Sequence, residues 1–333
     1  MTFPSIKRSA LLVALAGGLL VPAGCQPGGN GTPGSTSTPT SGTVAVAVDE
    51  TFAPILQAQV DTFGKLYPDA HVQLRFEPEE NAMVDLVNGK VDVAVVSREL
   101  NAEETAAFAK QTIYPHTTRI GIDGLAVVLH PSNPDSLLTI DQLRAIFTGK
   151  NTTWSQVSGQ KKLGDINIVF DASRSSTARF VRDSLTKGAA LTARVFAAKS
   201  NPALLDYVAA HPNAIGVVGV NWISDHDDPA AMKFFRKVRV AGITARPNPK
   251  PDDFIQPYQV NLAFKTPAQL AQYPELQNYP LRRNLYIINR EARTGLGTGF
   301  TSFVAGKNGQ LIFQKSGLLP ALMQARVVTT PKR

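Results

Sequence analysis

Short β-branched runs separated by helical patterns restrict this chain to layered α/β architectures. The runs are Val44 to Val48, His71 to Phe76, Val91 to Val96, Leu125 to Leu129, Ile166 to Phe170, Ile215 to Val220, Val238 to Ile243 and Leu285 to Ile288. Between them the spacing turns helical, most clearly over Thr51 to Tyr67. There Phe52, Ile55, Leu56, Val60, Phe63 and Leu66 fall on one face at i, i+3, i+4 intervals, and Pro68-Asp69 stops the pattern. Strand and helix in alternation predict mostly parallel sheets covered by helices. A chain of 333 residues, 43% hydrophobic and 18% charged, fills such cores and is too apolar to stay disordered. At about 150 residues per domain it predicts two α/β layers side by side. No apolar run approaches the roughly 18 residues of a membrane span, which excludes a polytopic membrane protein.

The N-terminus reads as an address. Lys7 and Arg8 precede the apolar stretch Ala10 to Val21, which closes on Pro22-Ala23-Gly24-Cys25. This resembles the bacterial lipoprotein signal, whose cysteine becomes the lipidated first residue. Residues 1–24 are thus expected to be a signal peptide and Cys25 the lipid-bearing residue, which places the protein on the extracytoplasmic side of a bacterial membrane. Gln26 to Gly42 contains only Gln, Asn, Gly, Pro, Ser and Thr and cannot offset its ordering entropy. Residues 25–42 are therefore expected to be a flexible tether with a reach of roughly 20 to 25 Å. As the single cysteine, Cys25 rules out an internal disulfide, and with five scattered histidines it rules out a Cys/His zinc framework. Removing Lys7 and Arg8 lowers the formal charge from +8 to +6, which favours anionic ligands weakly.

Three junctions place hydroxyl or Asx residues between a strand and a helix. Val44 to Val48 leads through Asp49-Glu50 to Thr51-Phe52. Val91 to Val96 leads through Ser97-Arg98 to Asn101, a helix N-cap with its partner acid Glu104. Ile166 to Phe170 leads through Asp171-Ala172-Ser173 to Arg174-Ser175-Ser176-Thr177. The carboxyl edge of an open α/β sheet is where ligands bind, and helix starts there offer unpaired N–H groups. Arg98 and Arg174 add charge-assisted donors, so the set suits a small tetrahedral oxyanion.

These residues resemble the phosphate-binding subunit of bacterial phosphate ABC importers, within the type II periplasmic binding proteins. The likeness covers nearly all of Thr43 to Pro320. Thr51-Phe52 matches that family's Thr-Phe turn, and Ser175-Ser176-Thr177 is similar to its Ser-Gly-Thr phosphate loop. Asp123 to Val128, Leu143 to Lys150 and Trp154 resemble its second-lobe signature. The resemblance implies two lobes, each with a mostly parallel sheet, joined by a two-strand hinge: 43–123 with 251–333 as lobe one, and 124–250 as lobe two. It also implies an oxyanion ligand, phosphate first, delivery to an ABC permease, no cofactor, no metal and no chemical turnover in a monomer. Alternatives are a phosphate-ester hydrolase, or a sensor or surface protein, on the same fold. The departures are specific. Asp171 stands where the family has an arginine, Ser97-Arg98 near where members carry an aspartate, and Glu77-Pro78-Glu79-Glu80 replaces a Ser/Gly-rich turn. An acid and a base thus look exchanged across the cleft, with Asp171 able to accept the proton that phosphate retains and sulfate lacks.

Other signals are weaker. Ser158 to Lys161 matches S-x-x-K without its companion motifs, and Gly295 to Gly299 lacks dinucleotide-binding spacing and reads as a flexible helix entry. The basic run Lys233 to Arg239 reads as a solvated edge, and no nucleic-acid partner is expected.

Overall fold

The computed structural model describes residues 37–322 apart from 160, 264–265 and 273–277. The predicted signal segment, Cys25 and the tether as far as residue 36 lie outside the described residues. β1 (Gly42–Asp49) runs through a 3-10 turn, Glu50–Phe52, into α1 (Ala53–Leu66). β2 (Ala70–Glu77), α2 (Glu79–Val87), β3 (Val93–Val96), α3 (Ala102–Lys110) and the long β4 (His116–Leu129) follow. Next come β5 (Leu137–Thr139), α4 (Ile140–Phe147), α5 (Trp154–Ser158), β6 (Asn167–Phe170) and α6 (Ser176–Phe180), which widens into a π-helical turn over Val181–Leu185. β7 (Val195–Ala197), α7 (Asn201–Ala210), β8 (Ala214–Gly219), α8 (Pro229–Lys237), β9 (Arg239–Val240) and β10 (Gly242–Thr244) continue the chain. α9 (Gln259–Leu262), α10 (Pro267–Gln272), β11 (Arg282–Asn289), α11 (Leu296–Ala305), α12 (Lys307–Lys315) and β12 (Leu319–Pro320) complete the described part.

The main sheet has the order β2-β1-β3-β11-β4-β8-β6-β7, with β9 and β12 also paired to β4. It is mixed. β1 pairs in parallel with β2 and β3, and β6 with β7 and β8, as the alternation predicts. The middle is antiparallel: β11 lies against both β3 and β4, and β4 against β8. β4 belongs to both halves, since His116 to Gly124 pairs with β11 and Leu125 to Leu129 with β8. Its first residues escape the apolar pattern because Thr117, Thr118 and Arg119 are exposed or half-buried, whereas Ile120 to Leu129 is buried throughout. The return of the chain comes later than the Pro-rich stretch Arg246 to Asp253 suggests. Leu262, Ala263, Tyr279 and Leu281 still pack with Leu125, Val127 and Ile243, and the Tyr279 hydroxyl donates to the Leu125 carbonyl at 2.7 Å. The chain re-enters the first half-sheet at Arg282.

Burial follows the strand period of two. In β1, Val44, Val46 and Val48 face α1, α11 and α12, while Ala47 faces Met83, Leu86 and Phe108 beneath α2 and α3. Phe52, Ile55, Leu56 and Phe63 point inward as their spacing predicts; Leu66, the last residue of α1, is half exposed. In the second half-sheet, Leu125 and Val127 pack with Phe147 and Trp154, and Ala126 and Val128 with Leu204 and Val208 of α7. Order also begins before Thr43. Leu296 N donates to Ser37 Oγ at 3.0 Å, and the Thr38 to Ser41 turn lies so close to α11 that a Cβ on Gly299 would collide with the Pro39 carbonyl. That approach accounts for one glycine of the Gly295 to Gly299 run; the helix entry itself is held by Glu291, which accepts from Gly297 N and Thr298 N.

Candidate functional site: a cleft filled by its own carboxylates

The carboxyl ends of β1, β3, β6 and β8 converge where the two half-sheets meet, the edge at which open α/β sheets place ligands. From the first half come Asp49, Thr51, Glu79 and Ser97; from the second, Asp171, Ser175, Ser176, Thr177 and Arg179. Thr51 and Thr177 are buried and face each other with their hydroxyl oxygens 3.4 Å apart. The Thr51 carbonyl accepts from Asn221 Nδ2 at 3.0 Å and Trp222 Nε1 at 2.8 Å, so the turn before α1 is fixed from the opposite half.

Three buried carboxylates occupy the donors of this site. Asp49 accepts from Thr51 N at 2.8 Å within its own half and from Ser176 N at 2.9 Å across the junction. Asp171 accepts from Ser175 Oγ at 2.6 Å, Thr51 Oγ1 at 3.1 Å and Asn201 Nδ2 at 3.4 Å. Glu79 accepts from Ser97 N at 2.8 Å, Ser97 Oγ at 2.9 Å and the Arg179 guanidinium, which also donates to Ser97 Oγ. Beneath them Arg283 forks onto Asp123, donates to Ser176 Oγ at 2.8 Å and stacks 4.7 Å from the Phe52 ring centre.

The electrostatics follow from burial and proximity. Burial, then the neighbouring Asp49 charge, lifts Asp171 to about 6. Burial lifts Glu50 to about 7. Asp49 is raised by burial and by Glu79, against the pull of Arg283. Burial also pushes Glu79 upward, but the Arg179 and Ser97 donors outweigh it and hold that carboxyl below its ordinary range.

The structure gathers Thr51, Phe52, Ser97, Asp171, Ser175, Ser176 and Thr177 at this junction. The two arginines singled out in the sequence stand at its rim, Arg98 with its Nε 3.8 Å from Glu79. Arg98 forks onto Glu104 at 2.7 Å through both terminal nitrogens. Arg174 is 59% exposed, 3.7 Å from Glu80, at the rim of a recess of about 590 Å³. Arg179, one helical turn into α6, reaches across the junction to Glu79 and Ser97, and its residue type gives no sign of the role. Asp49 carries a clearer sequence signal, lying at a strand's carboxyl end two residues before Thr51. Ser175 caps α6, accepting from Ala178 N, and Asn101 and Glu104 form the predicted capping box on α3. Among the described residues no group of three or more His, Cys, Asp or Glu is placed to hold a metal ion, and no helix is long and apolar enough to cross a membrane.

A family model described as a PBP superfamily domain matches residues 33–308, most of the chain. The chain belongs to the PBP superfamily. Among curated PBP-type relatives, the phosphate-binding protein PstS of Pseudomonas aeruginosa is 24% identical over 296 residues, covering 84% of this chain and 83% of its own length. The phosphate-binding protein PstS of Bacillus subtilis is 22% identical and covers 66% of this chain and 72% of its own. Among solved structures, a putative phosphate ABC transporter substrate-binding protein of Clostridium perfringens, with phosphate bound, superposes with a TM-score of 0.64 at 20% identity, covering 84% of this chain and all of that one. A phosphate transport receptor of Vibrio cholerae gives 0.57 at 21% identity, with 84% of this chain and all of that one covered. The mixed sheet with helices on both faces is thus the fold of the type II binding proteins.

Proposed function

We propose that this protein is a lipid-anchored extracytoplasmic receptor that captures an oxyanion, phosphate before sulfate, and hands it to an ABC permease without chemical turnover. One observation carries the reading: two hydroxyl-bearing turns, Thr51-Phe52 and Ser175-Ser176-Thr177, meet face to face across a buried junction of two half-sheets. The names of the curated relatives suggest the ligand, and those of the similar solved structures the transport role. In this reading the half-sheets are two lobes hinged on β4 and β11. Thr51, Ser97 and Ser175 to Thr177 donate to the anion, Arg179 brings the cross-cleft positive charge, and Arg98 and Arg174 draw anions toward the rim. The Ser175 hydroxyl donates to Asp171 and the Ser176 hydroxyl accepts from Arg283, an arrangement that orients the two serines rather than activating a nucleophile.

Titration calorimetry of the full chain in detergent, with phosphate and with sulfate at pH 6, tests the ligand. Phosphate is expected to bind more tightly than sulfate; a parent protein that binds neither between pH 5.5 and 8 rules the reading out. The anchor is tested separately. Cys25→Ser should move the protein from the membrane to the soluble fraction, because lipidation is lost and Gln26 onward offers no apolar surface. Retention of that variant on salt-washed membranes would contradict the lipoprotein assignment.

A further inference from the structure

The donors that an oxyanion would need are already taken, and by carboxylates of this same chain. Asp49 spans the junction between Thr51 N and Ser176 N, and Asp171 spans it between Thr51 Oγ1 and Ser175 Oγ. Each carboxylate presents two oxygens at hydrogen-bond distance to both halves, as one edge of a captured phosphate would. Both are essentially inaccessible to solvent, at 0% and 1% exposure. An ionised carboxylate only accepts, so it competes with an incoming anion for every one of these donors and repels it as well. A protonated carboxyl loses the repulsion, weakens its hold on N–H donors and gains an O–H to offer the anion.

We infer that Asp49 and Asp171 are internal stand-ins for the ligand, and that they make capture of an oxyanion proton-coupled: the anion enters as these carboxyls take up protons, and neutral or alkaline conditions return the donors to the protein. The inference rests on the reading of this cleft as an oxyanion receptor and adds its regulation. The charged groups around the pair determine the direction of the effect. Glu50 and Glu77 line the same recess of about 150 Å³ as Asp49 and Asp171, with Lys199 as its cation. From β4, Asp123 adds a further negative charge behind Asp49, answered by Arg283 of β11. Glu79 on α2 is neutralised by Arg179 on α6, with Arg98 a further 3.8 Å partner that is itself shared with Glu104. Carboxylates thus outnumber cations around the pair, which favours proton uptake; the raised titration of Asp171, to about 6, and of Asp49 agrees with that balance.

Above the range where Asp171 titrates, binding one anion requires taking up a proton, so affinity rises as pH falls, by up to about tenfold per pH unit per proton. The test is titration of the full chain with inorganic phosphate at pH 6, 7 and 8, each in two buffers of different ionisation enthalpy. Asp171→Asn and Asp49→Asn, both isosteric, are measured beside the parent, with far-UV circular dichroism and melting curves to establish folding. Phosphate's own ionisation is common to all three proteins, so a difference in slope belongs to the carboxyl removed. The parent is expected to lose affinity toward pH 8 more steeply than either variant, by about tenfold between pH 6 and 8, and to take up more protons per phosphate bound. Equal slopes and equal proton uptake in parent and folded variants overturn the inference while leaving the receptor reading intact. Absence of phosphate binding by the parent at all three pH values overturns the receptor reading and the inference with it.

Discussion

Arg283→Met is expected to destabilise the folded protein by about 3 to 5 kcal/mol, the range for stripping one partner from a buried ion pair. Arg283 and Asp123 are both buried, their side chains 2% and 0% exposed, and two guanidinium nitrogens reach the same Asp123 oxygen at 3.0 Å. Methionine fills much of the same volume beside Phe52 but leaves Asp123 charged or forces it to hold a proton. Burial already pushes Asp123 upward even with the arginine present, so removing that opposing charge leaves the neutral form as its only favourable state. Adding Asp123→Asn to the variant should recover most of the loss, since no charge then remains to be compensated. Denaturant unfolding of the two variants measures this. A loss under about 1 kcal/mol, or no recovery in the double variant, would show that the pair does not hold β4 and β11 together.

Arg179→Gln should be the second most damaging change, at about 2 to 3 kcal/mol near neutral pH, because Glu79 is 2% exposed and keeps only the more distant Arg98, 3.8 Å away, as a counter-charge. Its pH dependence is diagnostic. In the parent, the depressed Glu79 carboxyl contributes stability above its ordinary value of 4.5, and that contribution is lost as pH falls through its lower folded value. In the variant, burial dominates and raises the carboxyl, so the folded state gains as acid protonates it. The gap in melting temperature between parent and variant should therefore be wide at pH 8 and narrow by pH 4.5. A gap of the same size at both pH values would mean that the arginine acts through packing rather than through the Glu79 charge.

Local pattern revealed the strands and helices far better than it revealed which side chains meet. The apolar runs locate β1, β2, β3, β6, β8 and β11, and the Asn101 cap and the Thr51 to Tyr67 face are local signals that survive in the fold. β5 and β7, of three residues each, are too short to register a period. At the junction, the hydroxyls of Thr51 and Ser175 to Thr177 stood out at strand-to-helix boundaries, although capping is an ordinary reason for such residues and Ser175 does cap α6. Arg98 divides its charge in a way that its position does not reveal, forking onto Glu104 of its own capping box while its Nε stands 3.8 Å from Glu79. Asp49, Glu79 and Arg179 form a constellation whose members lie on β1, α2 and α6. Only the fold brings them together, and no spacing along the chain encodes that meeting. Glu79 in particular stands in sequence only as part of the run that replaces a Ser/Gly-rich turn, yet it is buried at the junction against an arginine from the other half-sheet.

The position of β11 has a consequence for how the molecule is made. Val93 at the start of β3 and His116 at the start of β4 both face Asn289, so the two strands flank a gap one strand wide that is closed only by a segment emerging late in synthesis. Until it arrives, two inner edges of the sheet expose unpaired backbone, and neither half can reach its final hydrogen-bonding state. The contacts that fill the gap are also among the most distant in the sheet along the chain, which makes this step slow by loop-closure entropy. A chain made in this order can join its two half-sheets only once β11 is available, and β12 then adds to β4 from the very end of the described chain.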